Sequence, residues 1–467
     1  MTIDPRSILI NTDSYKVSMW EQYPEGTEFI YSYIEARGGA DHILWFGLQA
    51  FLMEFLTTPV TLADVEAADE FWTAHGMNFN RAGWEYIVNK HGGLLPVEIK
   101  QIPEGTLVPI GSVLATVVNT DPNVPWITTW IETALLRAAW YGTNVATTSY
   151  NIKQLLAKYL TTSGDLNGLG FKLHDFGSRG ATCFEASSIG GAAHLINFLG
   201  TDNVVGIFHA KKYYNADISA SGFSIPASEH STITSWGQEN ELSAYKNMVS
   251  KFGKGLYACV SDSYNIYEAV DMWGSLRDEI IAAGGTLVIR PDSGDPVTVL
   301  SKIVPQLDKL FGSTVNAAGY KTLNTVRVIW GDGITQSTVE SILIKLVDFM
   351  GYSADNFAFG MGGALLQGHT RDTYKFAMKT SAAFINGRWV DVFKSPVDDQ
   401  GKTSKRGLVT TKRTAKGKWV KTVIDHNTLA YTGERLIDVL RPIFVNGKMV
   451  EANMQSFEDI RARSTRL

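Results

Sequence analysis

The chain has 467 residues, 45% of them hydrophobic, and a formal net charge of −5 at pH 7. This length allows a large core and two domains, while the interspersed charges give no reason to expect a nucleic-acid or membrane-surface partner. Two cysteines are too few for a disulfide framework, which is typical of proteins of the reducing cytoplasm. We therefore expect a cytoplasmic protein.

The N-terminal part of the chain predicts an α+β domain. Short β-prone runs in Leu95–Val118 alternate with turn residues, a pattern typical of antiparallel strands.

Trp126–Tyr141 has helical spacing, but it carries Glu132 and Arg137 and is shorter than the ~20 apolar residues of a membrane span. Met1–Arg6 lacks the apolar core of a signal peptide, so we expect neither secretion by that route nor a membrane anchor.

From about residue 166 the pattern changes to short apolar runs separated by amphipathic segments. Such alternation predicts a parallel α/β core, and eight runs match a (β/α)8-type barrel of roughly 250 residues. Helices are expected at Glu239–Phe252, Ile266–Ala283, Val297–Phe311 and Gln336–Met350. The eight expected strands are Phe171–Leu173, Ile196–Leu199, Phe223–Ile225, Leu256–Val260, Thr286–Ile289, Val326–Trp330, Phe357–Phe359 and Lys375–Lys379.

After the barrel the chain returns to antiparallel texture. Ser381–Phe393 predicts a hairpin around Asn386-Gly387, and Leu408–Val423 predicts a second strand pair. The polar stretch Val397–Arg406 predicts a loop. We therefore expect a discontinuous second domain formed by residues 1–165 and 381–467, with the barrel over residues 166–380.

Polar clusters directly follow most of the expected barrel strands. Because the carboxyl ends of barrel strands converge on one face, residues far apart in sequence become neighbours there. The clusters are His174–Arg179, Gly200–Asp202, Ser228–His230, Ser261–Ser263, Arg290–Gly294, Gly331–Gly333 and Gly360–Gly363. Their convergence predicts an active site at this face.

Several ordered motifs resemble the nicotinamide phosphoribosyltransferase family over nearly the whole chain. The resemblance implies a homodimer with shared active sites that joins nicotinamide to 5-phosphoribosyl 1-pyrophosphate, giving nicotinamide mononucleotide and pyrophosphate, with Mg²⁺ and ATP assisting. The motifs are Thr12–Lys16, Asn119–Pro122, Trp130–Thr133, His174–Gly180, Glu229–Thr234, Ser261–Tyr264, Ile289–Gly294, Gly331–Gly333, Gly362–Gln367 and Thr370–Asp372.

A flat pyridine ring requires a stacking slot of aromatic or guanidinium faces. By resemblance, Phe176 and Arg290 of one barrel and Tyr15 of the partner subunit form it, Arg179 binds substrate, and Asp202 accepts a hydrogen bond from the carboxamide. From the residues alone, Phe176 could be core, Tyr15 an interface residue and Asp202 a helix cap.

The sugar hydroxyls and phosphates require acceptors, backbone N–H groups and cations. Asp292 and Asp332 are candidate acceptors and positioners of Mg²⁺, although each could instead cap the following helix. Glycine at Gly331 permits close approach of a ligand. The resemblance assigns the 5-phosphate and pyrophosphate to Gly362, Gly363, Arg37, Arg371, Lys379, Lys394 and Lys402. Met361 departs from the family pattern, and no metal ligands can be named.

His230 can act as a nucleophile when its imidazole is neutral, and Asp262 is placed to fix its tautomer. The resemblance makes His230 the residue that ATP phosphorylates. A lone histidine is otherwise usually structural, and His174 is left as possibly structural. Asp292 is also a candidate for an electrostatic role, in which it stabilises positive charge on the ring or the sugar as pyrophosphate leaves.

Two other functions stay open from the sequence. One is a nicotinate-specific phosphoribosyltransferase on the same scaffold. The other is a non-catalytic binding protein, which the intact set of charged residues in these motifs disfavours.

Overall fold

The computed structural model of the protein describes residues 3–398, 403–424 and 433–465. Two compact units are present. Unit 1 comprises Met1–Asn144, Lys212–Asn215 and His369–Leu467, and unit 2 comprises Val145–Lys211 and Ala216–Gly368. The borders fall at 144/145 and 368/369, where the sequence-based division has 165/166 and 380/381.

Twenty strands lie in the described part of the chain. They are β1 Thr27–Ala36, β2 His42–Leu44, β3 Val97–Gln101, β4 Leu107–Pro109, β5 Val113–Asn119, β6 Leu173–Asp175, β7 Gly200–Thr201, β8 Leu256–Val260, β9 Thr286–Arg290, β10 Ser313–Val315, β11 Lys321–Leu323, β12 Val326–Trp330, β13 Phe357–Met361, β14 Phe376–Ile385, β15 Arg388–Asp391, β16 Val409–Thr414, β17 Trp419–Ile424, β18 Leu436–Asp438, β19 Arg441–Val445 and β20 Lys448–Met449.

Sixteen α-helices accompany them within the same described ranges. None of these helices is both long and apolar enough to cross a membrane. They are α1 Leu48–Phe51, α2 Leu62–Ala74, α3 Arg81–His91, α4 Ile127–Trp130, α5 Glu132–Ser163, α6 Phe184–Leu195, α7 Val204–Tyr214, α8 Ile218–Ser221, α9 His230–Thr234, α10 Glu241–Phe252, α11 Ile266–Ser275, α12 Arg277–Ala283, α13 Pro296–Phe311, α14 Gln336–Leu343, α15 Gly363–Leu366 and α16 Phe457–Ser464.

Unit 1 contains a seven-stranded antiparallel sheet in the order β15-β14-β1-β5-β3-β19-β20. Strand β3 has the alternation typical of a strand with one buried face: Val97, Ile99 and Gln101 are buried, and the residues between them are partly exposed. The hairpin expected at Asn386-Gly387 is confirmed: both residues have positive φ, 50° and 80°, as a tight two-residue turn between β14 and β15 requires. The strand pair β16–β17 is confirmed as well.

Unit 2 is a mixed α/β unit built on a six-stranded parallel sheet in the order β7-β6-β13-β12-β9-β8. Residues 223–228 pair with both edges of this sheet, through parallel bridges between Phe223 and Gly200 of β7 and between Ala227 and Ala258 of β8. We call residues 223–228 the closing segment. Hydrogen bonds thus run around a ring of seven members.

The expected eight-stranded barrel is corrected by this topology. The run Lys375–Lys379 is not a barrel strand, because it belongs largely to β14, which pairs antiparallel with β1 in unit 1. The run Ile196–Leu199 is not a strand: it lies between the end of α6 at Leu195 and β7 at Gly200–Thr201. The run Phe223–Ile225 makes only isolated bridges, so the ring contains six strands and the closing segment.

The helices expected around the barrel are present with two interruptions. The segment Ile266–Ala283 forms two helices, α11 and α12, that meet at Leu276. The segment Gln336–Met350 forms α14 and then a π-helical stretch, Ile344–Phe349. Within the ring, Ala258, Val288 and Ile329 form a small core cluster, against which Phe176 packs. Parallel pairing brings the carboxyl ends of the strands to one end of the ring.

Asp121, in the Asn119–Pro122 motif of unit 1, holds its own loop through its carboxylate. It accepts hydrogen bonds from the backbone N–H of Asn123 (2.9 Å), from Tyr86 OH (3.0 Å) and from His91 Nε2 (2.7 Å). Burial alone would raise the pKa of Asp121, but these hydrogen bonds outweigh it and lower the pKa from 3.8 to about 2. The charged form is therefore favoured by folding.

The folded-state pKa of Asp121 lies below its unfolded value, so its stabilisation is present above about pH 4 and is lost as the pH falls towards 2. We expect Asp121→Asn to lower the melting temperature at pH 7 by ~3 °C or more, and the difference from the wild type to shrink between about pH 4 and pH 2. Thermal unfolding followed by circular dichroism measures this. A difference that stays constant over this pH range would contradict the prediction.

Candidate active site

Phe176 lies at the carboxyl end of β6, on top of the ring interior. Its backbone N–H donates to the carbonyl of Met361, at a distance of 3.0 Å. A Cβ atom at Gly360 would clash with the Phe176 ring, and one at Gly331 would lie 3.3 Å from Cε2 of the ring. Phe176 is half-buried, so the ring packs on the core cluster and still presents part of its surface to the strand ends. Met361 itself is buried.

Arg290 and Asp292 stand beside this ring, at the end of β9. Arg290 Nη2 lies 3.5 Å from Asp292 Oδ2, and a Cβ atom at Gly331 would lie 3.3 Å from Asp292 Oδ1. Nε of Arg290 is buried and has no hydrogen-bond partner among the described residues. Phe176, Asp292 and Gly331 therefore meet at one point, with a guanidinium next to them.

The helix-capping interpretation of Asp292 and Asp332 is wrong. Helix α13 is capped by Asp295, whose Oδ1 accepts from the backbone N–H of Thr298 at 2.8 Å. Helix α14 is capped by Thr335. The carboxylates of Asp292 and Asp332 thus follow their strands without serving the next helix, and Asp332 is exposed.

A buried carboxylate, Asp262, joins the ends of β8 and β9 to His230. Its Oδ1 lies 3.0 Å from His230 Nε2, and its Oδ2 accepts from Ser293 Oγ (2.6 Å) and from the backbone N–H of Asp292 (2.9 Å). Burial raises the pKa of Asp262, but the hydrogen bonds from Ser293, His230 and Asp292 prevail and lower it.

This arrangement orients the His230 imidazole. The side chain is 46% exposed, whereas the Asp262 side chain is 4% exposed. With Nε2–H donating to Asp262, Nδ1 is the unprotonated nitrogen and is available as a nucleophile or acceptor. Ser293 was missed by the sequence analysis, although it lies inside the Arg290–Gly294 motif.

Asp202 follows β7 and is bound to the closing segment. Its Oδ1 accepts from Ser224 Oγ at 2.5 Å, and its backbone N–H donates to the carbonyl of Asp175 at 3.0 Å. The hydrogen bond to the first turn of α7 comes from Asn203, whose Oδ1 accepts from Gly206 N. The capping interpretation thus fits Asn203 better than Asp202.

Arg179 lies in a 3-10 turn, Ser178–Gly180, and is exposed. Beside this turn lie the expected phosphate-binding glycines: a Cβ atom at Gly180 would be 3.5 Å from Cα of Gly363, and one at Gly177 would be 2.9 Å from the carbonyl oxygen of Gly362. Helix α15 begins at Gly363. The turn and the glycine pair form one continuous rim.

His174 has a structural position. Its Nε2 lies 3.0 Å from the carbonyl oxygen of Phe171, and its ring lies against Gly200, where a Cβ atom would be 2.5 Å from Nδ1. Burial lowers the pKa of His174.

Unit 1 carries the expected cations. Lys379 is half-buried, and burial lowers its pKa, with the positive charges of Arg37, Lys16 and Lys394 acting in the same direction and Glu132 in the opposite one. Arg371 pairs with Asp372 at 3.0 Å. Lys402 lies outside the described residues. Lys16 and Glu132 were not predicted to belong to this cluster; their ion pair is 2.6 Å long.

Tyr15 projects from a segment that is tied down on both sides of it. The Tyr15 side chain is 60% exposed, in the 3-10 turn Ser14–Lys16. The polar residues around it bond to the end of α4 and the start of α5. These bonds are Arg137 Nη1 to Asn11 Oδ1 (3.2 Å), Thr12 Oγ1 to Trp130 O (2.7 Å), Thr133 Oγ1 to Asp13 Oδ2 (2.6 Å) and Lys16 Nζ to Glu132 Oε2 (2.6 Å).

The structure thus brings one set of candidate residues together in unit 2, and in unit 1 it places the charges of Arg37 and Lys394 near Lys379. The strand ends of unit 2 bring together Phe176, Asp202, His230, Asp262 and Arg290 with Asp292, Gly331, Asp332 and the rim. Unit 1 holds Tyr15 and the cations Arg37, Arg371, Lys379 and Lys394. In the described ranges no group of three or more His, Cys, Asp or Glu side chains is placed to hold a metal ion.

Two family models match the chain. Residues 171–428 match the nicotinate phosphoribosyltransferase (NAPRTase) family, and residues 7–99 match the N-terminal domain of nicotinamide phosphoribosyltransferase.

Curated relatives match over almost the full length. The chain is 48% identical to a nicotinamide phosphoribosyltransferase of Xanthomonas campestris pv. campestris, over 98% of both proteins. It is 31% identical to one of Acinetobacter baylyi, over 97% of this chain and 95% of the relative.

Two solved structures share the fold at low identity. One is nicotinate-nucleotide pyrophosphorylase from Pyrococcus furiosus, with a TM-score of 0.63, 15% identity and coverage of 99% of this chain and 96% of the other. The second is human nicotinic acid phosphoribosyltransferase, with a TM-score of 0.56, 16% identity and coverage of 97% and 92%.

Proposed function

Because the chain belongs to the nicotinamide phosphoribosyltransferase family, we propose that it catalyses the reaction for which its curated relatives are named. In this reaction nicotinamide displaces pyrophosphate from phosphoribosyl pyrophosphate, and nicotinamide mononucleotide is formed, a step of NAD biosynthesis. The observation that carries the proposal is the meeting of Phe176, Asp292 and Gly331 at the strand ends, with Arg290 beside them.

The pyridine ring would stack on Phe176, next to the Arg290 guanidinium. Aromatic and guanidinium planes bury a flat heterocycle and fix its orientation. Asp202 would accept a hydrogen bond from the carboxamide N–H, while Ser224 already holds one of its oxygens. Holding the ring nitrogen in line with C1 of the ribose lowers the entropic part of the activation barrier.

The leaving pyrophosphate needs positive charge, since C1 gains oxocarbenium character as the C–O bond breaks. Arg37, Arg371, Lys379, Lys394 and Lys402 are the proposed source, with the backbone of Gly362 and Gly363 for the 5-phosphate. Asp292 would stabilise the developing positive charge, and Asp332 would bind ribose hydroxyls.

Mg²⁺ fits this donor set as a substrate-borne ion. Mg²⁺ is usually held by one or two carboxylates together with substrate phosphates and water, not by an all-protein cage. Asp292 and Asp332 offer such carboxylates, and no three-residue cluster is required. When bound, the ion would neutralise charge on the phosphates.

We further propose that ATP phosphorylates His230. Nδ1 would attack the γ-phosphorus, an N–P bond would form as the bond between that phosphorus and the β,γ-bridging oxygen breaks, and ADP would leave. Hydrolysis of this labile phosphoramidate returns inorganic phosphate and could drive the main reaction. The geometry that supports the proposal is the Asp262 contact with Nε2.

A homodimer with shared sites and a cytoplasmic location complete the proposal. Phe184, Val204 and Phe208 are 69%, 61% and 66% exposed, and they lie on the helices that follow the Arg179 turn and Asp202. Such exposed apolar side chains next to a site favour an interface. A second copy presenting Tyr15 would cover them.

The proposed cytoplasmic location is supported by the cysteines, because both are free thiols, as is typical of a reducing compartment.

The reaction is tested by following pyrophosphate release with nicotinamide and with nicotinate. We expect kcat/KM for nicotinamide to exceed that for nicotinate by ~100-fold or more, because nicotinate lacks the N–H donor and brings a like charge to Asp202. Asp202→Asn should narrow this ratio, chiefly by admitting nicotinate.

Asp278→Asn, an exposed carboxylate on α12, is the matched control and should keep the ratio. A wild-type preference for nicotinate would favour the nicotinate-specific alternative. Absence of turnover with either base would favour the non-catalytic one.

Incubation with ATP and Mg²⁺ should place one acid-labile phosphate on each chain, measured by intact mass. His230→Ala should remove it and retain basal transfer, because the chemistry at C1 does not use the imidazole. His42→Ala, an exposed histidine of unit 1, should label like the wild type. Normal labelling of the His230→Ala protein would show that another residue is modified.

Shared sites are tested by mixing two variants that each lack ATP-stimulated activity. If Tyr15 completes the partner's site, Tyr15→Ala and His230→Ala proteins should form heterodimers that contain one intact site. ATP-stimulated activity should then return on mixing, to a level set by the fraction of heterodimers measured by native mass spectrometry. Heterodimers without recovered activity would mean that Tyr15 serves its own subunit or has no role.

A further inference from the structure

A fully buried carboxylate that no step above uses lies directly before Phe176. Asp175 is the last residue of β6 and has no exposed surface. Its Oδ1 accepts from the backbone N–H of Gly177 at 2.7 Å, and its Oδ2 accepts from Asn203 Nδ2 at 2.9 Å. Both of its side-chain bonds thus reach loops that follow strands at the candidate site.

Asn203 extends the connection from Asp175. Its Nδ2 also donates to the carbonyl of Ser187 at 2.9 Å, and its Oδ1 accepts from Ser187 Oγ at 3.2 Å. Ser187 Oγ in turn lies 2.8 Å from Ser178 Oγ. Flipping the Asn203 amide would point its oxygen at two acceptors, so this orientation is the only one that satisfies the network.

The helices that carry the network are in backbone contact. A Cβ atom at Gly191 of α6 would lie 2.8 Å from Cα of Gly206 of α7 and 2.6 Å from Asn203 Nδ2. The two helices can therefore approach closely enough for Asn203 to span the gap between them.

Two ends of the network are adjacent to residues that the proposed function assigns to the pyridine, since Gly177 follows Phe176 and Asn203 follows Asp202. The third end, Ser178, precedes Arg179, which the family resemblance assigns to substrate binding. The Asp202 backbone N–H also donates to the Asp175 carbonyl at 3.0 Å. Asp175 is thus hydrogen-bonded to the residue that follows Phe176 and to both Asp202 and Asn203.

We infer that Asp175, acting through Asn203, is a positioning residue for the pyridine base: it sets the distance between Phe176 and Asp202. This inference rests on the proposed function of that site. A neutral residue would fill the position at lower desolvation cost, since burial raises the pKa of Asp175 to about 6, with Asp202 adding to the rise. A carboxylate is the side chain that accepts from both loops at once.

An exchange of the two side chains tests the inference. Asp175→Asn leaves one acceptor oxygen for two donors, Gly177 N–H and Asn203 Nδ2, and places an NH2 group against the other donor. Asn203→Asp places two carboxylates against each other. Each should raise KM for nicotinamide by ~10-fold or more, because buried polar groups lose their partners, and leave KM for phosphoribosyl pyrophosphate nearly unchanged. The double exchange restores a donor–acceptor pair and should recover most of the loss, although the bond to the Ser187 carbonyl is not restored.

Two matched controls make the same substitutions, Asn to Asp and Asp to Asn, at other positions of unit 2. Asn356→Asp alters a fully buried asparagine that binds Leu323 N before β13. Asp308→Asn alters a carboxylate that accepts from Tyr352 and Lys321. Both should lower the melting temperature without changing KM for nicotinamide.

The outcomes separate this inference from the proposed function. Failure of the wild type to use nicotinamide would overturn the function itself, before any variant is considered. An active wild type whose exchange variants lose thermal stability but keep KM for nicotinamide would overturn the positioning role alone.

Should the single exchanges fail to fold, Ser187→Ala decides the question. It removes the Ser187 hydroxyl, which contacts both Ser178 Oγ and Asn203 Oδ1, and leaves the bond between Asp175 and Asn203 in place. It should raise KM for nicotinamide by ~3-fold, less than the exchanges. An unchanged KM in Ser187→Ala would count against the positioning role.

Discussion

The open edges of a parallel sheet impose the constraint on which the site in unit 2 depends. Unpaired N–H and C=O groups along β7 and β8 would be costly if left buried, so some part of the chain must pair with both strands. The closing segment does this with isolated bridges instead of a regular ladder. Its irregular path delivers Ser224 to Asp202 at one end and leads into Glu229 and His230 at the other. The segment that closes the ring therefore also positions residues of the candidate site.

A second principle is the separation of capping from chemistry. After β9 and β12 the chain continues for several residues before Asp295 and Thr335 cap α13 and α14. The strand-end carboxylates Asp292 and Asp332 are therefore not needed to cap these helices. The same division holds after β7, where Asn203 bonds to the first turn of α7 and Asp202 does not.

Local signals predicted much of the fold and of the site. Turn residues located the β14–β15 and β16–β17 hairpins, and apolar runs located β8, β9, β12 and β13, because these features depend on neighbours in sequence. The error at Lys375–Lys379 arose because a β-prone run does not specify its partner, and here the partner is β1. The roles of Ser293, Lys16 and Asp175 depend on contacts with residues far away in sequence, which periodicity cannot show.

The tethered segment around Tyr15 determines at which stage the backbone that carries this exposed aromatic side chain loses its conformational entropy. Four side-chain bonds hold residues 11–16 against the end of α4 and the start of α5, so the backbone that carries Tyr15 is ordered as unit 1 folds. A surface that later meets this ring need not immobilise a flexible loop, which is a common cost of association. In the proposed dimer the ring would act as a rigid anchor, and only the two torsions of its own side chain would remain to be ordered.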